Sequence, residues 1–118
     1  MTGISRVLIG LSGAAAVGFG AFAAHGIDDE VRRSWMQTGA TYQMVHTLAA
    51  WAALSSPRAG ATPLLFGFGI LVFSGCLYAM GLGAPRWLGA VVPIGGVSFI
   101  LGWLSLAWTG VRGGNNQP

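Results

Sequence analysis

Nine charged side chains interrupt this chain, and their positions constrain it more than any other feature. They stand at Arg6, at Asp28, Asp29, Glu30, Arg32 and Arg33, and at Arg58, Arg86 and Arg112. Between them run four uncharged stretches, residues 7–27, 34–57, 59–85 and 87–111. A membrane-spanning helix needs about 20 apolar residues to cross a hydrocarbon core of about 30 Å. Each stretch supplies that length, so four spanning helices are expected near 5–25, 38–55, 64–82 and 90–111.

Of the 118 residues, 53% are hydrophobic and 8% charged, against about 25% charged in a soluble domain. So few charges cannot solvate the surface of a water-soluble fold, which leaves the bilayer as solvent. Nucleic-acid binding is excluded as well: the six arginines are dispersed, lysine is absent, and the net charge of +3 reflects scarcity of acids. The single Cys76 excludes a disulfide framework. Ala21-Phe22-Ala23-Ala24 would suit a signal peptidase, but the apolar run before it is as long as a full span and is expected to be retained.

The connections are short. In residues 26–35 Asp28 is expected to cap a helix, with Asp29 and Glu30 in the first turn where the helix dipole favours acids. Val31 and Trp35, four apart, share a face, so this amphipathic segment is expected to lie at the membrane interface and run into the second span. Ser55 to Pro63, with two prolines and a glycine, reads as a loop, and Gly81 to Arg86 as a tight turn. Residues 1–112 then form one transmembrane domain, and the tail 113–118 has nothing to bury and is expected to fray. Four spans put both termini on one side, side A, with Arg6, Arg58 and Arg112; side B holds Arg32, Arg33 and Arg86 and all the acids. The arginine count is tied, and the amino terminus tips the expected orientation toward both termini in the cytoplasm.

Helices in lipid associate through close backbone approach and hydrogen bonds, so small residues mark contacts. The first span offers two ladders, Gly10-Ala14-Gly18 and Ser12-Ala16-Gly20-Ala24, and is expected to be the most enclosed helix. Gly75 with Ala79 and Gly83 on the third span, and Gly95, Gly96 and Gly102 on the fourth, are expected to pack similarly. Phe66, Phe68, Phe73, Phe99 and Trp103 are expected to face lipid or fill gaps beside glycines. Trp87 and Trp108, at opposite ends of the fourth span, suit the two interfaces. The expected architecture is an all-α, antiparallel four-helix membrane bundle.

Polar side chains inside the spans need partners there. Gln43, His46 and Thr47 share a face of the second span, together with Tyr42 nearby; His25 ends the first; Ser74, Cys76 and Tyr78 lie in the side-B half of the third, and Ser98 in that half of the fourth. The expected site is a polar cluster of His25, Tyr42, Gln43, His46, Ser74 and Tyr78 opening toward side B. Two histidines raise the question of haem or metal. His46 lies about 12 Å deeper than His25 at helical rise, which does not suit paired haem ligation, and no H-x-x-x-H or C-x-x-C spacing is present. No cofactor and no metal are expected. Cys76 reads as a small buried hydrophobe, and Asp28, Asp29 and Glu30 as a solvated helix start.

The motifs themselves resemble a known family. Gly18-Phe19-Gly20-Ala21-Phe22-Ala23-Ala24-His25-Gly26 is similar to a G-A-F-G-A-H signature, Tyr42-Gln43-Met44-Val45-His46-Thr47-Leu48-Ala49 to Y-Q-x-x-H-x-L-A, and Ser74-Gly75-Cys76-Leu77-Tyr78 to S-G-S-L-Y. Pro93-Ile94-Gly95-Gly96 with Gly102-Trp103 resembles the P-x-G-G and G-W of a last span. Together, over residues 1–111, they resemble the small membrane-protein family called domain of unknown function 423; Ala23 and Cys76 depart from the glycine or alanine and the serine of its pattern. The resemblance implies four spans, a bacterial or mitochondrial inner membrane and no established activity, with His25, Tyr42, Gln43, His46, Ser74 and Tyr78 as motif residues. With no reaction-capable constellation and glycine faces to spare, the expected role is a non-enzymatic accessory or assembly subunit of a larger complex in the bacterial inner membrane, its partners being lipid and either another membrane protein or a second copy. The alternative is binding or transport of a small molecule, ion or cofactor through the polar cluster.

Overall fold

The computed structural model describes residues 1–114 and shows an all-helical chain: α1 (Gly3–Gly26), α2 (Glu30–Leu54), α3 (Thr62–Gly81) and, after a 3-10 turn at Arg86–Ala90, α4 (Val92–Gly114). Of the expected frayed tail, Gly113 and Gly114 instead close the last turn of α4, and residues 115–118 lie outside the described residues. The helices run antiparallel in sequence order. Ser12 meets Thr47 while Gly20 faces Ala40 across α1 and α2, and Phe66 meets Gly102 while Phe99 meets Gly69 across α3 and α4.

Local chemistry sets the ends. The Asp29 carboxylate, not that of Asp28, caps α2, accepting from the Arg32 N–H at 2.9 Å; Asp28 gives only its carbonyl, to Arg33. The Val31–Trp35 segment is the opening of α2, with no break before the rest of the helix. Pro63 sits in the first turn of α3, where its missing N–H costs no hydrogen bond. Gly83, at φ +110°, makes the turn that follows α3.

Three helical runs, α1, α3 and Arg86–Gly113, are long and apolar enough to cross a membrane. α2 has the length, 25 residues, about 37 Å at helical rise, but its polar residues lower its hydropathy. Its buried residues, Met36, Gly39, Ala40, Gln43, His46, Thr47, Ala50 and Ala53, recur every three or four positions, the spacing of a single helix face. Apart from Met36 that face is small or polar, while Val45, Leu48 and Trp51 point outward. This is the reverse of a helix folded in water and follows from lipid being the solvent.

Helix α1 is the least enclosed of the three spans, contrary to expectation. Only Ala16 and Ala23 of its 24 residues are buried, because it rests principally on α2 while α3 and α4 pack on the far side. Of its two ladders, Ser12, Ala16 and Gly20 face α2, and Gly10, Ala14 and Gly18 are exposed.

Between α3 and α4, aromatic rings and glycines interlock. The Phe66 and Phe99 rings lie over Gly102 and Gly69, and the Phe73 backbone lies over Gly95. Ser98 Oγ donates to the Leu65 carbonyl at 2.7 Å, and Thr62 Oγ1 to Ser105 Oγ at 3.1 Å. A π turn at Ile70–Ser74 interrupts α3, with the Gly75 N–H bonded to the Ile70 carbonyl. The extra residue it accommodates shifts the buried face: Thr62, Phe66 and Gly69 are followed by Ser74, Leu77, Tyr78 and Gly81. Gly75, expected to pack, is therefore exposed and has open space around it.

A methyl group at Gly95 would overlap the Phe73 backbone nitrogen, whereas one at Gly18 meets nothing within 4 Å. Gly95→Ala is expected to destabilise the purified protein by about 1–3 kcal/mol. Gly18→Ala is expected to be neutral or to stabilise it by up to about 1 kcal/mol. Thermal unfolding of the two variants in one detergent checks the contrast.

Candidate functional site

Two hydrogen-bonded groups diverge from the buried face of α2. The first joins three helices. Tyr78 Oη on α3 donates to Gln43 Oε1 at 2.5 Å. Gln43 Nε2 donates to Ser12 Oγ on α1 at 3.1 Å, and Ser12 Oγ lies 2.7 Å from Thr47 Oγ1, back on α2. Phe19 of α1 stacks on the Tyr78 ring, with centroids 4.1 Å apart. Ser74 adds a separate tie, its Oγ donating to the Gly39 carbonyl at 2.7 Å.

The second group surrounds His46. Trp103 Nε1 on α4 donates to His46 Nε2 at 3.1 Å, and His46 Nδ1 lies 2.7 Å from the Tyr42 carbonyl one turn earlier. An indole nitrogen only donates and a carbonyl only accepts, so these partners assign the neutral imidazole with its proton on Nδ1. The ring stacks on Phe99 at 3.7 Å between centroids and meets the edge of Phe66 at 5.2 Å. Tyr42 contributes its carbonyl and its ring, packed on Phe73 at 4.7 Å.

Four of the six expected cluster residues are thus buried, Gln43 and His46 on α2 and Ser74 and Tyr78 against it, and Tyr42 borders them. His25 is exposed at the end of α1 and stands apart from them. The bonds do not gather beside side B. They run from Tyr78, near the side-B end of α3, past Gln43 at the middle of α2, to Ser12 in the side-A half of α1. A groove of about 530 Å³ between α1 and α3 reaches the Ser12 and Thr47 end of this chain.

Chemically the arrangement is saturated. No buried side-chain nitrogen or oxygen among the described residues lacks a hydrogen-bond partner. Both nitrogens of His46 are engaged in hydrogen bonds, and Cys76 is half-buried. Among the described residues no three His, Cys, Asp or Glu side chains come together as a metal site would need.

A family model described as "Protein of unknown function (DUF423)" matches residues 19–96, a stretch that includes Tyr42, Gln43, His46, Ser74 and Tyr78. The chain belongs to the DUF423 family. Among its relatives, a UPF0382 membrane protein of Haemophilus influenzae is 44% identical over 109 residues, covering 86% of this chain and 88% of the relative. The UPF0382 membrane protein YwdK of Bacillus subtilis is 37% identical, over 82% of this chain and 87% of its own length. The UPF0382 inner membrane protein YgdD of Escherichia coli is 34% identical, over 90% and 88% respectively. No solved structure matches the chain. The relatives' names, together with the three apolar helices, make this DUF423 chain a membrane protein.

Two residues that complete the networks, Ser12 and Trp103, fall outside the matched stretch and carried little weight in the sequence. Ser12 had a signal: it is the one side chain with a hydroxyl, amide or charge between residues 7 and 24. Trp103 stood in the Gly102-Trp103 motif, but its pairing had no signal, since its indole N–H matters only once α4 lies beside His46.

Tyr78→Phe leaves the buried Gln43 oxygen without its donor and is expected to lower stability by about 1 kcal/mol. In a Gln43→Leu background the same change is expected to cost less, the difference being the coupling read from a double-mutant cycle of unfolding in detergent. His46→Leu, which removes the acceptor for Trp103, is expected to cost about 1 kcal/mol. Trp103→Phe is expected to cost less in that background than alone, by the same measurement.

Proposed function

We propose that this DUF423 chain is a single four-span domain, α2 being the fourth span, that acts without catalysis as an accessory or assembly subunit of a larger membrane complex. The observation that carries the reading is the outer face of α1. Gly10, Ala14 and Gly18 are exposed along it, and a methyl group at either glycine would meet nothing within 4 Å. Such a smooth stripe lets another helix approach closely in lipid, where association depends on backbone proximity. The saturated interior supports the same reading, because its polar groups hold helices together and leave none for a substrate. Occupation of α2, α3 and α4 with one another leaves α1 as the helix offered to a partner.

Site-specific crosslinking tests this. In a Cys76→Ser background, Gly10→Cys or Gly18→Cys labelled with a photo-crosslinker in native membranes is expected to capture a second membrane protein. A crosslinker on the opposite, α2-facing side at Gly20 is expected to give only intramolecular products. If Gly10 and Gly18 yield the bare monomer, the proposal fails; if they yield only a dimer of this chain, the role becomes self-association.

A further inference from the structure

The two ends of the bundle treat their arginines differently. At the side-B end each is engaged. Arg32 Nε donates to the Gly81 carbonyl at 2.8 Å, Arg33 Nε to the Ile27 carbonyl at 2.9 Å, and the Arg86 guanidinium lies 5.4 Å from the centre of the Trp35 ring. At the side-A end the sequence supplies no acidic side chain, since all three acids are at 28–30. Arg58 and Arg112 together line a cavity of about 340 Å³ that also touches Trp108. Among the described residues neither guanidinium donates a hydrogen bond.

Beside this cavity, and sharing Arg58, Thr109 and Gly113 with it, lies a second of about 420 Å³ between α2 and α4. It is a slot. Ala49, Ala52 and Ala53 form its α2 wall, and their short side chains leave room before Trp103 and Leu106 on α4. Along α4 it extends from Trp103 to Gly113, about 15 Å at helical rise. That is half of a hydrocarbon core of about 30 Å, the depth that one acyl chain occupies in its own leaflet.

We infer that this end of the bundle is a binding site for an anionic phospholipid, with its phosphate between Arg58 and Arg112 and one acyl chain in the slot beneath. Guanidinium groups bind phosphate through charge-assisted hydrogen bonds, and Trp108, 60% exposed, stands where an indole belongs at headgroup level. Charge complementarity selects the occupant: two cations without acids call for an anion, and the apolar slot continuing from them calls for an anion that carries a tail. A free phosphate would satisfy the arginines and leave the slot unfilled. The inference is independent of the partner face on α1.

The test uses the full chain in a neutral detergent, with phosphatidylglycerol, phosphatidylcholine or inorganic phosphate added, read by thermal unfolding and by native mass spectrometry. Phosphatidylglycerol is expected to remain bound and raise the unfolding midpoint, and the other two to do neither. Arg58→Gln/Arg112→Gln is expected to weaken phosphatidylglycerol about thirtyfold, and Arg112→Gln alone, which keeps the comparison available should the double variant not fold, about fivefold. Ala52→Phe, which fills the slot, is expected to weaken the lipid as well. Arg6→Gln, at the same end but outside both cavities, is expected to leave it unchanged. Equal binding of the two lipids, an equal shift from inorganic phosphate, or an equal loss from Arg6→Gln would each overturn the inference, pointing respectively to no charge recognition, a soluble-anion site, or diffuse surface charge.

Discussion

An amide or imidazole facing hydrocarbon without a partner costs several kcal/mol, and α2 carries one of each near its centre. The rest of the bundle answers that demand. Gln43 is met from two sides, by Tyr78 of α3 and Ser12 of α1, and His46 by Trp103 of α4. Each neighbouring helix therefore gives α2 at least one hydrogen bond, and the bond fixes where that helix lies along it. The glycine and alanine positions on the same face bring the backbones near enough for those side chains to reach. The most polar helix is in this way the centre of the fold, and its apolar residues are turned outward to lipid.

The pairing of these polar groups is between helices. A histidine with both nitrogens bonded and an amide bonded through both its atoms hold helices together. Four of the motif residues, Gln43, His46, Ser74 and Tyr78, thus bond between helices.

The charges alone marked the four helices, because the bilayer admits few ionised groups and they collect at the helix ends and in the connections between them. The buried polar face of α2 was likewise legible, since Gln43, His46 and Thr47 fall at helical spacing. The partners were not. Ser12 pairs with a residue 31 positions away and Trp103 with one 57 away, and no local period records such distances. Gly75 was misplaced for another reason: a constant helical period was assumed through α3, and the π turn at Ile70–Ser74 moves the buried face by one residue. The five-residue interval from Gly69 to Ser74, longer than one α turn, is the trace it leaves in the sequence. α1 was misjudged because small residues mark where a helix can be approached, and only half of that surface is used within this chain. His25 was misplaced because the end of α1 lies at the rim, where water can serve it.

The polarity of α2 also bears on how the chain is made. Taken alone it falls short of the apolarity that suits the other three helices to lipid; its Gln43 finds partners on the two helices that flank it in sequence, and its His46 on the last helix. Ser12 is synthesised before Gln43, so α1 can receive α2 as a hairpin through the three-residue connection at 27–29. His46 must wait longer, for an indole that emerges 57 residues later. Until α4 arrives, the Nε2 of His46 on one face of α2 is without its donor, while Nδ1 is already served by the Tyr42 carbonyl of the same helix.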